Sequence, residues 1–351
     1  MVSHAWVGEE GSRQVDRRQG YWFEGPHLLR VTEFGFELRV CAHLEASTDA
    51  VVARQLGGGA IDGGRVLDVV LIEPGPGFEH RTRLTPDSIP ASVLDADLGP
   101  GNFRDWRRIL GSGISPQRAI ERAIEIGYLE VDRTGGRELV KPVDRYPEDW
   151  FDRIIAIENK PDLQAPGDLY DQLQFDVSLG LVDEVILATA SHVTRAHLNR
   201  IPDEVGVWRV DPETGVYEVH RSPASLPVEQ PGLEVREHHP GRTDVRPIPP
   251  PIKRTARRRL AERAYGKGWR TYSLPSCANI DPSVDSASGL PWCTHFDRLV
   301  HPSSECSSAC SGYQSAPPPA VDLEAIRDDT SPWVADPPDR RTRQGRLSDG
   351  W

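Results

Sequence analysis

Residues 154–163 read IIAIENKPDL. Ile154, Ile155, Ala156 and Ile157 make a short, largely β-branched apolar run, closed by Pro161, and this predicts a buried strand. The run then ends in Glu158, Asn159 and Lys160 where further apolar residues would continue the core. Side chains alternate between the two faces of a sheet, so Glu158 and Lys160, two positions apart, point the same way. Opposite charges at the end of a core strand have two readings. One is a solvated edge ion pair, worth under about 1 kcal/mol. The other is a place where chemistry needs both signs.

The flanking sequence supplies the fold. EVILAT (184–189) and VGVWRVD (205–211) predict strands, helices are predicted over 168–181 and 192–201, and GVYEVHR (215–221) predicts a last hairpin arm. Strand, helix, strand, helix, strand implies parallel neighbours joined by crossover helices. Upstream, VTEFGFELRVCAHLE (31–45) places Phe34, Leu38, Cys41 and Leu44 at helical spacing. RVLDVVLIEPGPG (65–77) is a strand stopped by Pro74 and Gly75, and HRTRL (80–84) is a candidate partner strand. QLGGGAIDGG (55–64) is Gly-rich but precedes a strand instead of opening a helix, so it reads as a flexible loop and not a dinucleotide fingerprint. The core is thus α/β and spans 31–222.

Within it, 85–142 has a different texture. Three short helical patterns are followed by YLEVDRTGGRELVKP (128–142), a hairpin turning at Gly135-Gly136. Helices followed by a hairpin are the layout of a winged-helix unit; an ordinary helical insertion is the plainer alternative. Outside the core, 1–30 is an irregular N-terminal segment and 223–252 reads as a Pro-rich linker. A basic helix and a Cys cluster occupy 253–315, and 316–351 reads as a disordered tail.

The totals exclude some classes. The 351 residues contain no run of 18 apolar residues, so no membrane span is expected. The first 30 residues carry Glu9, Glu10, Arg13, Asp16, Arg17 and Arg18 and do not read as a signal peptide; the expected compartment is the cytoplasm. Asp and Glu number 53 against 41 Lys and Arg, and only four of the 41 are Lys. This acidic, Lys-poor composition resembles that of salt-loving archaea. At molar salt the Debye length is about 3 Å, so an acidic total does not exclude nucleic acid as a partner. It also makes Lys160 notable, because this chain otherwise uses Arg for positive charge and a Lys supplies a compact ammonium instead of a fork.

Metal-assisted phosphodiester hydrolysis needs hard oxygen ligands, a group that orients water, and positive charge near the phosphate. Asp68 in VLDVVLIE, with Glu158 and Lys160 in AIENK, supplies these types at two strand ends. This pattern resembles the PD-(D/E)xK nuclease superfamily, over roughly 31–222. The resemblance implies a restriction-endonuclease-like central mixed sheet flanked by helices, with Asp68 and Glu158 binding Mg²⁺ or Mn²⁺ and Lys160 assisting attack by water. It adds Glu37 of the first helix, with Glu33 as competitor, and Gln172, with Gln174 second, in the helix after Glu-x-Lys. Leu67 replaces the Pro expected before the Asp, and Asp176 stands where RecB-like members carry Tyr. The insertion would account for the long interval between Asp68 and Glu158.

Cys277, Cys293, Cys306 and Cys310 fall within 34 residues, whereas Cys41 lies on the apolar face of its helix and reads as core. In a reducing compartment four clustered thiols read as metal ligands, for Zn²⁺ or an iron–sulfur cluster, with His295 and His301 as substitutes in a zinc site. Several nucleases with the motif carry such a cluster, but with tighter spacing and one Cys N-terminal to the fold, a pattern this chain does not follow. The expected function is a Mg²⁺-dependent DNA nuclease of repair, recombination or defence. The alternatives are an inactive DNA-binding protein on the same scaffold, using the basic helix at 253–270 and the insertion, with Arg104, Arg107, Arg108 and Arg118 on phosphates, and an α/β protein of other function. The oligomeric state is open, a homodimer included.

Overall fold

The computed structural model describes residues 32–61, 65–78, 90, 92, 93, 96, 98, 103–125, 128–142, 149–283, 289–323 and 325–326. The candidate strand at 80–84, most of the first helical pattern of the insertion, the segment 1–30 and the tail from 327 lie outside these residues.

Helix α1 (Glu33–Ser47) opens the described chain and leads to strands β1 (Val51–Gly57) and β2 (Val66–Pro74). The insertion holds β3 (Arg104–Asp105), α2 (Trp106–Leu110), α3 (Ile114–Glu125), β4 (Leu129–Asp132) and β5 (Leu139–Pro142). The core resumes with β6 (Phe151–Asn159), α4 (Leu169–Leu179), β7 (Glu184–Thr189), α5 (Arg195–Leu198), β8 (Gly206–Val210) and β9 (Tyr217–Arg221). A hairpin, β10 (Gly232–His239) and β11 (Arg242–Ile248), precedes α6 (Pro250–Lys267). The short β12 (Trp292–Cys293), β13 (Arg298–Leu299) and α7 (Pro302–Glu305) complete the set.

The central sheet is mixed, in the order β1-β2-β6-β7-β8-β9. β6, β7 and β8 are parallel, as the strand–helix alternation implied, and β1, β2 and β9 are antiparallel to their neighbours. Alternate strand residues feed two apolar layers. Val52, Val69, Leu71, Ile157 and Ile186 pack with Phe36, Val40, Cys41 and Leu44 of α1, so Cys41 is indeed core. Val51, Ala53, Val70, Ile72, Ile154 and Ala156 pack on the other face with Leu169 and Leu173 of α4 and Leu260, Ala264 and Tyr265 of α6. α1 is started by Thr32, whose hydroxyl accepts from the Gly35 N–H at 3.0 Å.

Four expectations need correction. Residues 223–252 are not a linker, because the β10–β11 hairpin fills most of the span. Their prolines stand where a fold tolerates them: Pro247 near the end of a two-stranded ribbon, and Pro250 and Pro251 in the first turn of α6. Nor is 253–270 a free basic surface. Lys253 is buried and donates to the Pro227 carbonyl at 3.1 Å, and Arg257 bonds Asp183 at 2.8 Å. The positive charge of α6 partly anchors it to the sheet layer. Leu323 and Ile326, placed in the tail by the sequence, lie beside Gly289. The predicted helix over 192–201 shrinks to the single turn of α5.

Gly232 shows how tightly the hairpin sits. A methyl group there would run into the Leu179 carbonyl at the end of α4. Gly232→Ala is expected to lower stability by about 3 kcal/mol, measured by urea unfolding.

Candidate active site

Asp68 and Glu158 face each other across two adjacent strands. The β2–β6 register pairs Val69 with Ile157, and the next step along both strands pairs Asp68 with Glu158. The Asn159 N–H donates to Asp68 Oδ2 at 2.9 Å and fixes this end of the ladder. On the other side of β2, the register of Arg54 with Val69 and Leu56 with Leu67 places Gln55 opposite Asp68. Three polar side chains therefore stand in a row across β1, β2 and β6.

The row exists because the alternation slips there. Val51 and Ala53 share an apolar layer with Leu56, and Val70 and Ile72 share it with Leu67, so one residue of each strand is out of phase. The odd residue in β1 is Gln55, a non-glycine at φ +55°. Such slips re-aim side chains, and strained backbone of this kind concentrates at functional sites. Gln55 Nε2 donates to Glu37 Oε2 at 2.9 Å and to Asp68 Oδ1 at 3.3 Å, tying α1 to the strand pair. Glu37 also bonds Arg54.

Glu158 does not pair with Lys160. Its partner is Arg65, whose Nη2 lies 2.7 Å from Glu158 Oε2 and 2.7 Å from Asp176 Oδ2, with Nε 3.0 Å from Asp176 Oδ1. All three side chains are buried. A solvated edge pair is therefore not what AIENK builds. β6 ends at Asn159, and Lys160 turns outward to place Nζ 2.8 Å from Glu33 Oε1. Gln172 is not at the site either: it bonds Asp168, one turn earlier on α4, at 3.3 Å, and Gln174 bonds Ser178. The α4 residue that reaches the cluster is Asp176, one turn beyond Gln172.

The electrostatics are those of crowded acids. Burial, then the charge of Asp68, pushes the Glu158 carboxyl up to about 8, against the pull of Arg65. Burial raises Asp68 despite its bonds from Asn159 and Gln55 and the nearby Arg65. Burial likewise pushes Glu37 up to about 7 in spite of Arg54, and raises Asp176 in spite of Arg65. The Asn159 amide, beside them, is buried with neither its nitrogen nor its oxygen hydrogen-bonded. Buried amides are normally satisfied, so an orphan at a strand end of this kind fits a ligand or water contact. Two opposed carboxylates, both raised by burial and one of them raised further by the other, are a donor set suited to a hard divalent cation.

Residues 51–315, about three quarters of the chain, match the model of a family described as "Family of unknown function (DUF5787)". The chain belongs to this family. The match takes in Gln55, Arg65, Asp68, Glu158, Lys160, Asp176 and the four clustered cysteines, and begins after Glu33 and Glu37. No curated protein and no solved structure matches the chain.

Two other clusters carry metal-ligating groups. Cys277, Cys293, Cys306 and Cys310 line one small pocket, where burial and the other three cysteines push the Cys306 thiol up to about 11. On the β10–β11 hairpin, ligand atoms of Glu237, His239 and Asp244 lie within 4.8 Å of one another. There Arg242 already balances Asp244 at 3.0 Å, and the site faces solvent. No helix among the described residues is long and apolar enough to cross a membrane.

Sequence reasoning missed Arg65, Gln55 and Asn159 and treated Asp176 only as a departure from a pattern. Gln55 and Arg65 bracket the Gly-rich stretch read as a loop. The available signal was an Arg directly after Gly63-Gly64, at the entry to the strand that carries Asp68.

Proposed function

We propose that this protein is a divalent-metal-dependent nuclease that hydrolyses phosphodiester bonds in DNA. The observation that carries the reading is the opposition of Asp68, half-buried, and Glu158, buried, on adjacent strands, with Lys160 two residues on. Asp68 and Glu158 would hold Mg²⁺ or Mn²⁺. The ion, when bound, supplies a water of lowered pKa and neutralises charge that develops on the phosphate. Gln55 orients Asp68, and Arg65 holds Glu158. Lys160 brings an ammonium to the arriving phosphate. Its partner Glu33 is 68 % exposed, so the pair is worth under about 1 kcal/mol and yields readily to a phosphate. Glu37 is a third acid linked to Asp68 through Gln55.

The insertion supports DNA as the substrate. Its sheet runs β3-β5-β4, with α2 and α3 between the first strand and the hairpin, a winged-helix-like order. Trp106, Ile120, Ala123 and Val140 are buried and join the main apolar layer, while Arg104, Arg107, Arg108 and Arg118 are exposed. Arg107 lies over the Trp106 ring at 4.2 Å, and Arg108 has one loose pair, to Asp105 at 3.7 Å. Such arginines suit phosphate contacts. Replacing Arg107 and Arg118 with Glu is expected to weaken duplex binding at least tenfold and flatten its salt dependence by about one log–log unit per lost contact. Unchanged affinity across salt would remove the insertion from DNA binding.

The reading itself is tested by incubating the purified chain with single- and double-stranded DNA and with RNA, with Mg²⁺ or Mn²⁺, at low and molar salt. Metal-dependent cleavage of DNA that disappears in Asp68→Asn supports it. DNA binding without cleavage under every condition would favour the inactive DNA-binding alternative.

A further inference from the structure

We propose that Cys277, Cys293, Cys306 and Cys310 hold one thiolate-ligated metal centre, a Zn²⁺ ion or an iron–sulfur cluster, that seats the C-terminal segment against the first turn of α1. The site is separate from the carboxylate cluster, and the inference does not depend on the nuclease reading.

The four thiols converge although 16, 13 and 4 positions separate them in sequence. They share one pocket wall with Ile280, Phe296, Val300 and Tyr313, and all are free thiols. Neither His295 nor His301 lines the pocket. His301 instead packs its ring on Phe34 at 4.3 Å and bonds Ser303 through Nδ1. The apolar core of this segment is small, with Ile280 and Val300 buried beside Cys277 and Cys293. The surrounding chain is held by isolated bridges, Cys277 with Ser315 and Ile280 with Cys293, and by the Asn279 amide on the Gly312 carbonyl at 2.6 Å. A segment with so little buried apolar surface needs a staple, and these thiols are unpaired.

Four thiolates lining one pocket suit a Zn²⁺ ion or an iron–sulfur cluster. The Gln314 N–H lies 3.5 Å from Cys277 Sγ, the sort of backbone donor that stabilises metal-bound thiolates.

The hairpin that carries Cys293 also reaches α1. Leu299 of β13 abuts Gly35, where an added methyl would stand 3.2 Å from Leu299 Cβ. Phe34 is enclosed by His301 and Tyr272. The first turn of α1, with Glu33, thus rests on the segment that the bound metal would order.

The test is anaerobic purification of the full chain, with iron, acid-labile sulfide and zinc analysis and a visible absorption spectrum. A stoichiometric metal is expected, and iron with equal acid-labile sulfide and broad visible absorption marks a cluster whereas one zinc without sulfide marks a single ion. Cys306→Ser with Cys310→Ser should lose the metal and become sensitive to proteolysis between 277 and 315. Cys41→Ala, altered in the core, should keep it. No metal in the unaltered chain, or metal retained in full by the double variant, would each overturn the proposal. Should the double variant prove insoluble, the metal content of the unaltered chain decides alone.

Discussion

Glu158→Gln is expected to abolish cleavage and, in metal-free solution near pH 8, to stabilise the fold. The two effects share one cause. Burial and Asp68 push the Glu158 carboxyl up to about 8, far above its ordinary value. The folded state therefore binds this proton more tightly than the unfolded state. For a raised acid, the stability is complete below the unfolded value near 4.5 and falls as pH rises toward 8. Glu37, raised to about 7, adds a second loss over a narrower window. The neutral amide cannot ionise and removes the Glu158 part, on the order of 2 kcal/mol at pH 8. It also cannot replace a carboxylate at a hard cation, so cleavage should fall about a thousandfold or more. Denaturant unfolding at pH 5 and pH 8 with chelator, beside a cleavage assay, measures both. Equal pH dependence in variant and parent would show that Glu158 is ordinarily ionised and not crowded.

Arg65→Met is expected to have the largest effect on stability. Arg65 is the counter-charge for both Glu158 and Asp176, and all three groups are buried. Removing one member of a buried ion network leaves uncompensated charge and costs about 3–5 kcal/mol. The loss should be greater at pH 8 than at pH 5, because acid protonates Glu158, raised to about 8, and lessens the need for a partner. Adding Arg65→Met to Asp176→Asn should recover part of it, since the pair is then missing on both sides. A loss under about 1 kcal/mol at both pH values would mean that Arg65 is replaced by solvent.

The strand that ends in AIENK, the strand that carries Asp68 and the parallel run that follows AIENK were legible because apolar runs with clear stops report them directly, whereas β1 was not read as a strand. The opposition of Asp68 and Glu158 followed from treating those two strands as neighbours. What failed to show was everything set by tertiary contact. Period two sends Lys160 to the face of Glu158, but the strand stops at Asn159 and Lys160 turns to Glu33. Gln55 reads as the start of a loop, whereas it lies inside β1 at positive φ and bridges two acids. Gln172 had the right helix but the wrong turn, and Asp176 reaches the site because Arg65 draws it in. The prolines of 223–252 suggested a linker because composition does not reveal that Pro247, Pro250 and Pro251 sit at element ends. Likewise the charge of 253–270 gave no hint that Lys253 and Arg257 are buried against backbone and Asp183.

Lys160→Ala separates catalysis from cation binding, since Lys160 is assigned to phosphate and not to the metal. It is expected to abolish cleavage while leaving metal affinity unchanged. The most direct measurement is calorimetric titration of Mn²⁺ into the metal-free chain, the Asp68→Asn and Glu158→Gln variants, and Lys160→Ala. The account predicts binding in the parent and in Lys160→Ala, at least tenfold weaker binding in each carboxylate variant, and protons released on binding at pH 7 as Glu158 ionises. Mn²⁺ uptake that is equal in all four proteins, or missing from the parent, would contradict it.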